Sequence, residues 1–326
     1  MIETTLLCTS GFLLAITLLP LLPSNHWICR SWEFPRVQIV VLIVINILLT
    51  AIFSENTLMI SLLAVNIASL LYQVIWILPY TFLYPKEVEQ GTKTQSSTSI
   101  KVITANVLMP NKSAQKLIDL VTQYEPDILV TLETNKWWQE AMSPIHKKYP
   151  YRVNKPLENL YGMHVYSKFE ISDLQVMELI EKDVPSVHCY IHFAQNVKVK
   201  FHFMHPAPPS PTENETAKPR DKELLLIADE VKNSLQPTIV TGDLNDVAWS
   251  PTTRNFRHKS GLQDPRIGRG FFNTFHADYP VIRWPLDHLF HSHHFMLIDI
   301  KRLPSIDSDH FPLFTELVVK EQAQSE

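Results

Sequence analysis

The sequence predicts an α/β (α+β) domain of layered sheets preceded by three transmembrane helices. Two observations predict it. Charged side chains are nearly absent from the first quarter of the 326-residue chain. From about residue 100 onward, short apolar runs of strand length alternate with a few helical patterns, the signature of sheets covered by helices.

The N-terminal elements come first in the chain. Residues 1–85 hold only Glu3, Arg30, Glu33, Arg36 and Glu55 as charges, and dense apolar cores run from Leu6 to Leu22, Val37 to Phe53 and Leu58 to Leu78. A hydrocarbon core of about 30 Å needs about 20 apolar residues of helix, which gives spans at about 4–23, 37–54 and 57–80. Asn46, Asn66 and Gln73 lie inside spans two and three and read as hydrogen bonds between helices. Glu3 stands where a signal peptide would carry positive charge, so residues 1–85 read as an uncleaved anchor. Arg30 and Arg36 in the first loop, with Lys86, Lys93 and Lys101 after span three, stand against Glu55 alone in the second loop. The positive-inside rule then directs the C-terminal domain to the cytoplasm.

Residues 86–99, KEVEQGTKTQSSTS, are polar and aperiodic, and read as a linker that lets the domain stand off the membrane. Residues 100–320 form the domain and 321–326 a polar tail. Strands are expected at Lys101–Val107, Asp127–Leu132, Met163–Ser167, Val187–Phe193, Val197–Met204, Thr238–Thr241, Leu286–Phe290, Met296–Lys301 and Phe314–Val319. Helices are expected at Ser113–Tyr124, Lys136–Lys147 and Arg220–Leu235. Prolines in the loop at 205–220 forbid regular structure there. Gly162 and Gly242, at strand edges in a chain with only 7 glycines, mark tight backbone positions.

Composition excludes several classes. Three cysteines, Cys8, Cys29 and Cys189, make neither a disulfide framework nor a cysteine-based zinc site. Outside the anchor the chain keeps 27 of its 29 basic and 30 of its 33 acidic residues. That balance argues against a domain held to nucleic acid by bulk basicity.

The chemistry is concentrated where apolar runs end. Asn106 ends one, Glu133 another and His205 a third; Asp243 and Asn245 follow TIVTG; Asp287 and His288 begin DHLFHS; Asp309 and His310 precede FPLFTEL. Each alone reads as a cap or turn residue. Strand tips converge at one sheet edge, however, so together they can form one polar site. His291, His293 and His294 read as surface imidazoles, since no carboxylate or cysteine accompanies them as zinc ligands. Arg283 with Trp284 reads as substrate contact or as cation–π surface packing. Trp137 and Trp138 open a helix and belong to the bilayer interface or the core.

The motifs ANV, LET, GMHVYSK, FMHPAP, TGDLND, PLDHLF and SDHFP, in this order and spacing over about residues 100–320, resemble the endonuclease/exonuclease/phosphatase superfamily. Its members include deoxyribonuclease I, abasic-site endonucleases, sphingomyelinases and inositol-polyphosphate phosphatases. The resemblance is greatest to membrane-anchored bacterial members, which implies a multi-pass protein of the inner membrane. It also implies a four-layered α/β/β/α sandwich with its site at one edge of two packed sheets, and hydrolysis of phosphate esters in nucleic acid or phospholipid headgroups.

Such a reaction wants a hard cation, Mg²⁺ or Mn²⁺, with oxygen ligands. The resemblance assigns the metal to Glu133, with Asn106 and Asp309 beside it. It assigns the attacking water to Asp243, a phosphate hydrogen bond to Asn245, and phosphate contact or proton transfer to His310, oriented by Asp287. His205 stands where abasic-site endonucleases commonly have Tyr, and Leu108 where that branch often has an acidic ligand. Both depart from a dedicated DNA-repair enzyme. The alternative reading is a catalytically inert relative that binds a phosphorylated ligand or partner at the membrane.

Overall fold

The computed structural model describes residues 1–53, 57–93, 98–194, 197–232 and 234–320. Glu55, residues 94–97 of the expected linker and the polar tail lie outside them. Helix α1 (Ile2–Leu18), the short α2 (Trp27–Arg30), α3 (Arg36–Ile52) and α4 (Thr57–Ile77) form an N-terminal bundle. Ile2–Leu21 and Thr57–Tyr80 are long and apolar enough to cross a membrane, and Trp27–Glu33 with Arg36–Ile52, bent by 71°, make a third candidate. Leu13, Ile16, Ile39 and Ile43 form the bundle core. The amides act between helices: Asn46 and Asn66 both donate to Ser10 Oγ, at 2.8 and 2.9 Å, and Gln73 joins Arg36 (2.7 Å) to Thr17 (3.1 Å). An unpaired amide in an apolar surrounding costs several kcal/mol, of order 1–3, which explains why each has found a partner.

Strands β1 (Ser99–Asn106), β2 (Ile128–Leu132), β3 (Tyr151–Lys155), β4 (Met163–Ser167), β10 (Phe295–Arg302) and β11 (Leu313–Val319) make one sheet in the order β10-β11-β1-β2-β4-β3. Strands β5 (Glu170–Met177), β6 (Ser186–His192), β7 (Lys198–Met204), β8 (Thr238–Asp243) and β9 (Asp287–His291) make the other in sequence order. Period-two alternation builds the layers. Ile100 and Val102 of β1 face the core between the sheets, while Ile103 and Ala105 face outward to α5 (Ala114–Tyr124) and α6 (Lys136–Ala141). On the far side, Val240 and Phe290 pack on α7 (Lys218–Val231) and α8 (Pro251–Ser260). The result is the expected α/β/β/α sandwich.

Several details differ from expectation. Strands β3 and β5 and helix α8 carry no strong apolar period, because their faces are largely exposed or polar. The helix expected at Lys136–Lys147 stops at Ala141 and continues as a tight turn over Ser143–Ile145, where Pro144 removes a backbone donor. Residues 86–93 are not a free linker. Val88 is 1% exposed in the inter-sheet core, and Glu89 O and Gly91 N pair with Leu297 of β10 at 2.9 Å each. A single buried apolar residue and an unpaired sheet edge outweigh the polar composition there.

Candidate active site

Strand directions bring the chemistry to one edge. β1 runs parallel to β2, and β7 parallel to β8, so Asn106, Glu133, His205 and Asp243 all lie at C-terminal tips. β9 and β11 run antiparallel to these neighbours, which brings their N-terminal ends, with Asp287 and the preceding Asp309 and His310, to the same edge. Asp243 and Asp287 are register partners. Behind them Thr104 and Thr241 join the two sheets by a 2.6 Å hydroxyl contact.

The backbone is shaped for this convergence. Gly242 has φ of 152°, and a Cβ there would lie 1.8 Å from Met204 O. A Cβ on Gly162 would lie 1.7 Å from Thr134 O, so both glycines permit close backbone approach. Glu133 and Asn245 take left-handed conformations at φ of 58° and 51°, a strain that persists only where the surroundings over-determine it. For Asn245 those surroundings are clear. Its amide nitrogen donates to Pro206 O (3.0 Å), its N–H to Asp243 Oδ1 (2.9 Å), and buried Arg220 of α7 holds its carbonyl at 2.7 Å.

Hydrogen bonds link the side chains into one array. His310 Nδ1 meets Asp287 Oδ2 at 2.8 Å, and its Nε2 faces Asp243 Oδ2 at 3.4 Å. His205 Nε2 lies 3.9 Å from the same oxygen. Asn106 Nδ2 bridges Glu133 Oε1 (2.8 Å) and Asp243 Oδ2 (3.1 Å), while its Oδ1 accepts from Leu108 N–H. Asn106 thus spaces two carboxylates, and its oxygen is turned to its own chain. Glu133, His205, Asp243, Asn245, Asp309 and His310 line a cleft of about 280 Å³.

Electrostatics divides the groups by role. Burial raises the Glu133 carboxyl to about 7, opposed by its Asn106 hydrogen bond and reinforced by Asp309. Burial also raises Asp243, against the attraction of His310. Burial alone would depress His310, but Asp287, Asp243 and Asp309 outweigh it and push the imidazole up to about 10. His205 has no comparable pairing and burial holds it near 4. One ring is therefore a cation at neutral pH and the other is neutral.

The donor set fits a hard cation. Glu133 Oε2 is buried with no hydrogen-bond partner among the described residues, and Asp309 adds a second carboxylate to the same cleft. Asp243, Asp287 and His310 also offer ligand atoms within 4.8 Å of one another. In that trio, however, the ring nitrogen and Asp287 oxygen already satisfy each other, the arrangement of an oriented imidazole.

Other expected residues fall elsewhere. His288 is buried against Arg266 (2.6 Å) and Asp246 O (2.9 Å), on the face of its strand opposite Asp287, and is structural. His291 is fully buried in the domain, with Nδ1 2.9 Å from Ser292 O, so it is not the surface imidazole expected; His293 alone of the three is exposed. Trp138 is in the core. Arg283 donates to Ala277 O (2.8 Å) and lies over Phe311, outside the cleft. Three aromatic residues not expected from the sequence also line the cleft: Tyr161, tilted on His205 at 5.2 Å; Phe275, tilted on His310 at 4.9 Å; and Phe34 from the bundle. Only Tyr161, beside Gly162, had a neighbouring signal.

Comparison with known proteins bears on the family and the fold. Residues 103–310 match the model of the Endonuclease/Exonuclease/phosphatase family. The fold is similar to zebrafish (D. rerio) TDP2 complexed with a single-strand DNA product, with a TM-score of 0.58 and 13% identity over 68% of this chain and 99% of that one. It is also similar to the human Nocturnin catalytic domain with bound sulfate, with a TM-score of 0.56 and 15% identity over 74% and 99%. A Bacteroides thetaiotaomicron protein of the same family gives 0.53 and 20% identity over 69% and 100%. No curated protein sequence matches the chain. At such identities these likenesses concern the fold.

Proposed function

The chain belongs to the endonuclease/exonuclease/phosphatase family, and from that premise we propose that it is a metal-dependent phosphoesterase anchored in a membrane by its N-terminal helices. The observation that carries this reading is His310, held by Asp287 at 2.8 Å and aimed at Asp243 at 3.4 Å beside the unsatisfied oxygen of Glu133. An inert relative would not need to keep so many buried charges in mutual contact, since each is costly to bury.

Glu133 and Asp309 would hold Mg²⁺ or Mn²⁺, with Asn106 keeping the Glu133 carboxylate in place. Bound there, the ion would neutralise non-bridging phosphate oxygens. The residues do the rest. Asp243, its pKa raised by burial, takes the proton of the attacking water. His310 is protonated at neutral pH and donates a hydrogen bond or proton to the phosphate, and Asp287 fixes which ring nitrogen faces the substrate. Asn245 offers its second amide hydrogen, and neutral His205 lies beside the same oxygens. TDP2 in complex with a DNA product and Nocturnin with sulfate support a phosphate-ester substrate; a nucleic acid or a phospholipid headgroup would both supply one. The positive-inside count supports a cytoplasmic domain.

The test is hydrolysis of bis(p-nitrophenyl) phosphate by the full chain in detergent with Mg²⁺ or Mn²⁺. His310→Ala should lower kcat by about 10²–10⁴-fold, the usual contribution of a proton-transferring side chain, in a protein that still unfolds in one cooperative transition. Equal turnover by a folded His310→Ala protein would overturn the assignment.

A further inference from the structure

The catalytic cleft does not end at polar residues. Phe34, in the loop between α2 and α3, and Pro209, in the proline-rich loop, line both the cleft and an adjoining groove of about 600 Å³. That volume is within the roughly 300–1,000 Å³ of ligand pockets. The groove is walled by Trp27 and Trp32 of the bundle and by Ile282 and Trp284 of the domain, so its lining is almost wholly apolar.

Its two ends differ. At one end Trp32 packs on the core of the membrane-spanning bundle and meets Phe12 of α1 edge-on at 6.2 Å. At the other, Trp284 stacks on Phe275 at 6.1 Å, and Phe275 lies against His310 at 4.9 Å. The groove therefore has one wall packed on the apolar helices and another packed on the phosphate-handling residues.

The loop that closes the groove is also apolar and exposed: Val281 is 73% and Ile282 48% exposed. It is tied to α3 where that helix begins, Gln38 Nε2 donating to Val281 O at 2.7 Å. Adjacent exposed apolar groups of this kind, placed level with the start of a spanning helix, suit the acyl boundary of a bilayer better than water.

We propose that this groove holds an acyl chain of a membrane glycerophospholipid while its phosphodiester lies in the cleft of Glu133, Asp243 and His310. The enzyme then acts on lipid drawn sideways from the bilayer that anchors it. This rests on the phosphoesterase reading and narrows its substrate class. Unpaired bases can stack on aromatic rings, but a nucleic-acid strand also needs cations along its phosphates, and among the described residues no basic side chain lines this groove.

The experiment uses the full chain in nanodiscs or detergent with Mg²⁺ and four substrates: dioleoylphosphatidylglycerol, its deacylated glycerophosphoglycerol, plasmid DNA and bis(p-nitrophenyl) phosphate. The expected kcat/KM on the diacyl lipid, referred to its concentration in the bilayer, exceeds that on the deacylated diester by about tenfold or more, because a chain seated in the groove positions the diester. In Ile282→Glu that ratio should fall by about tenfold or more; as a ratio it cancels any common effect on turnover. Independently, phosphatidylglycerol with a diazirine in its acyl chain should label Trp27–Pro35 and Pro209–Pro211. Equal rates on the two diesters, label confined to the spanning helices, or DNA cleavage with the lipid untouched would each overturn the groove assignment while leaving a phosphoesterase. Silence on all four substrates, the simple diester included, would overturn both.

Discussion

Glu133 shows what it costs to hold a carboxylate in the proposed metal site. Its folded pKa of about 7 lies above the ordinary carboxylate value of about 4.3, so its contribution to stability is present below that value and is lost as pH rises through about 7. A divalent cation held there would offset the cost. Mg²⁺ should raise the melting temperature at pH 7.5, and Glu133→Gln should raise the metal-free value and abolish the metal-dependent increase, as read by differential scanning fluorimetry. Asp287→Asn should lower the pKa of His310 from about 10, seen as imidazole proton shifts in NMR titration, and lower kcat by about 10²-fold or more as the ring loses its orientation. Gly242→Ala forces a Cβ against Met204 O in addition to a disallowed φ and should destabilise by more than about 3 kcal/mol, measured by thermal unfolding. All of these residues were legible in the sequence, because each is a polar or glycine interruption beside an apolar run.

Elements read less evenly. Strand β4 was expected at Met163–Ser167 and is found there, because Met163, Val165 and Tyr166 mark a short apolar run that is buried on both faces. β5 was not expected, since it is an edge strand with most of its side chains in solvent. The docked segment at 86–93 was read as a linker because one valine among polar residues has no period; Val88→Ala should cost about 2 kcal/mol by lost burial and cavity in an unfolding assay. Between β6 and β7, His188 and His202 face each other, Nδ1 to Nδ1 at 2.7 Å. Burial holds His188 near 4 and His202 well below its ordinary value. Folded values below the unfolded value of about 6.5 mean full support above that pH and loss of stability as pH falls through about 4. The melting temperature should follow that profile, and a variant with Leu at both positions should make it shallower, the remainder coming from the other buried histidines held near 4, His164, His205 and His291.

At the scale of the whole molecule, bundle and domain share a core. Ile77 and Tyr80 pack with Val247, Ala248, Trp249, Ile267 and Leu286, and Tyr80 Oη donates to Ala248 O at 2.6 Å. Trp249 Nε1 donates to Glu33 O at 2.7 Å, and Arg30 reaches from Glu33 (2.9 Å) to Thr252 of α8 (2.9 Å). A fragment beginning at residue 98 therefore exposes a large apolar face and lacks Val88. It should self-associate in size-exclusion chromatography where the full chain in detergent is monodisperse; a monomeric fragment with the full chain's stability would contradict this shared core.

The sequence alone determined the apolar helices, the layered sheet domain and the polar residues of the site, because these depend on local period and on the ends of apolar runs. Tertiary structure decided what those residues do to one another. The Asp287–His310–Asp243 array, the Asn106 bridge and the raised carboxyl of Glu133 depend on distances between strands far apart in sequence and on burial that no single segment encodes. The apolar groove was equally invisible. It is made from a helix connection, a proline loop and a domain loop whose side chains acquire meaning only when the bundle packs against the catalytic edge.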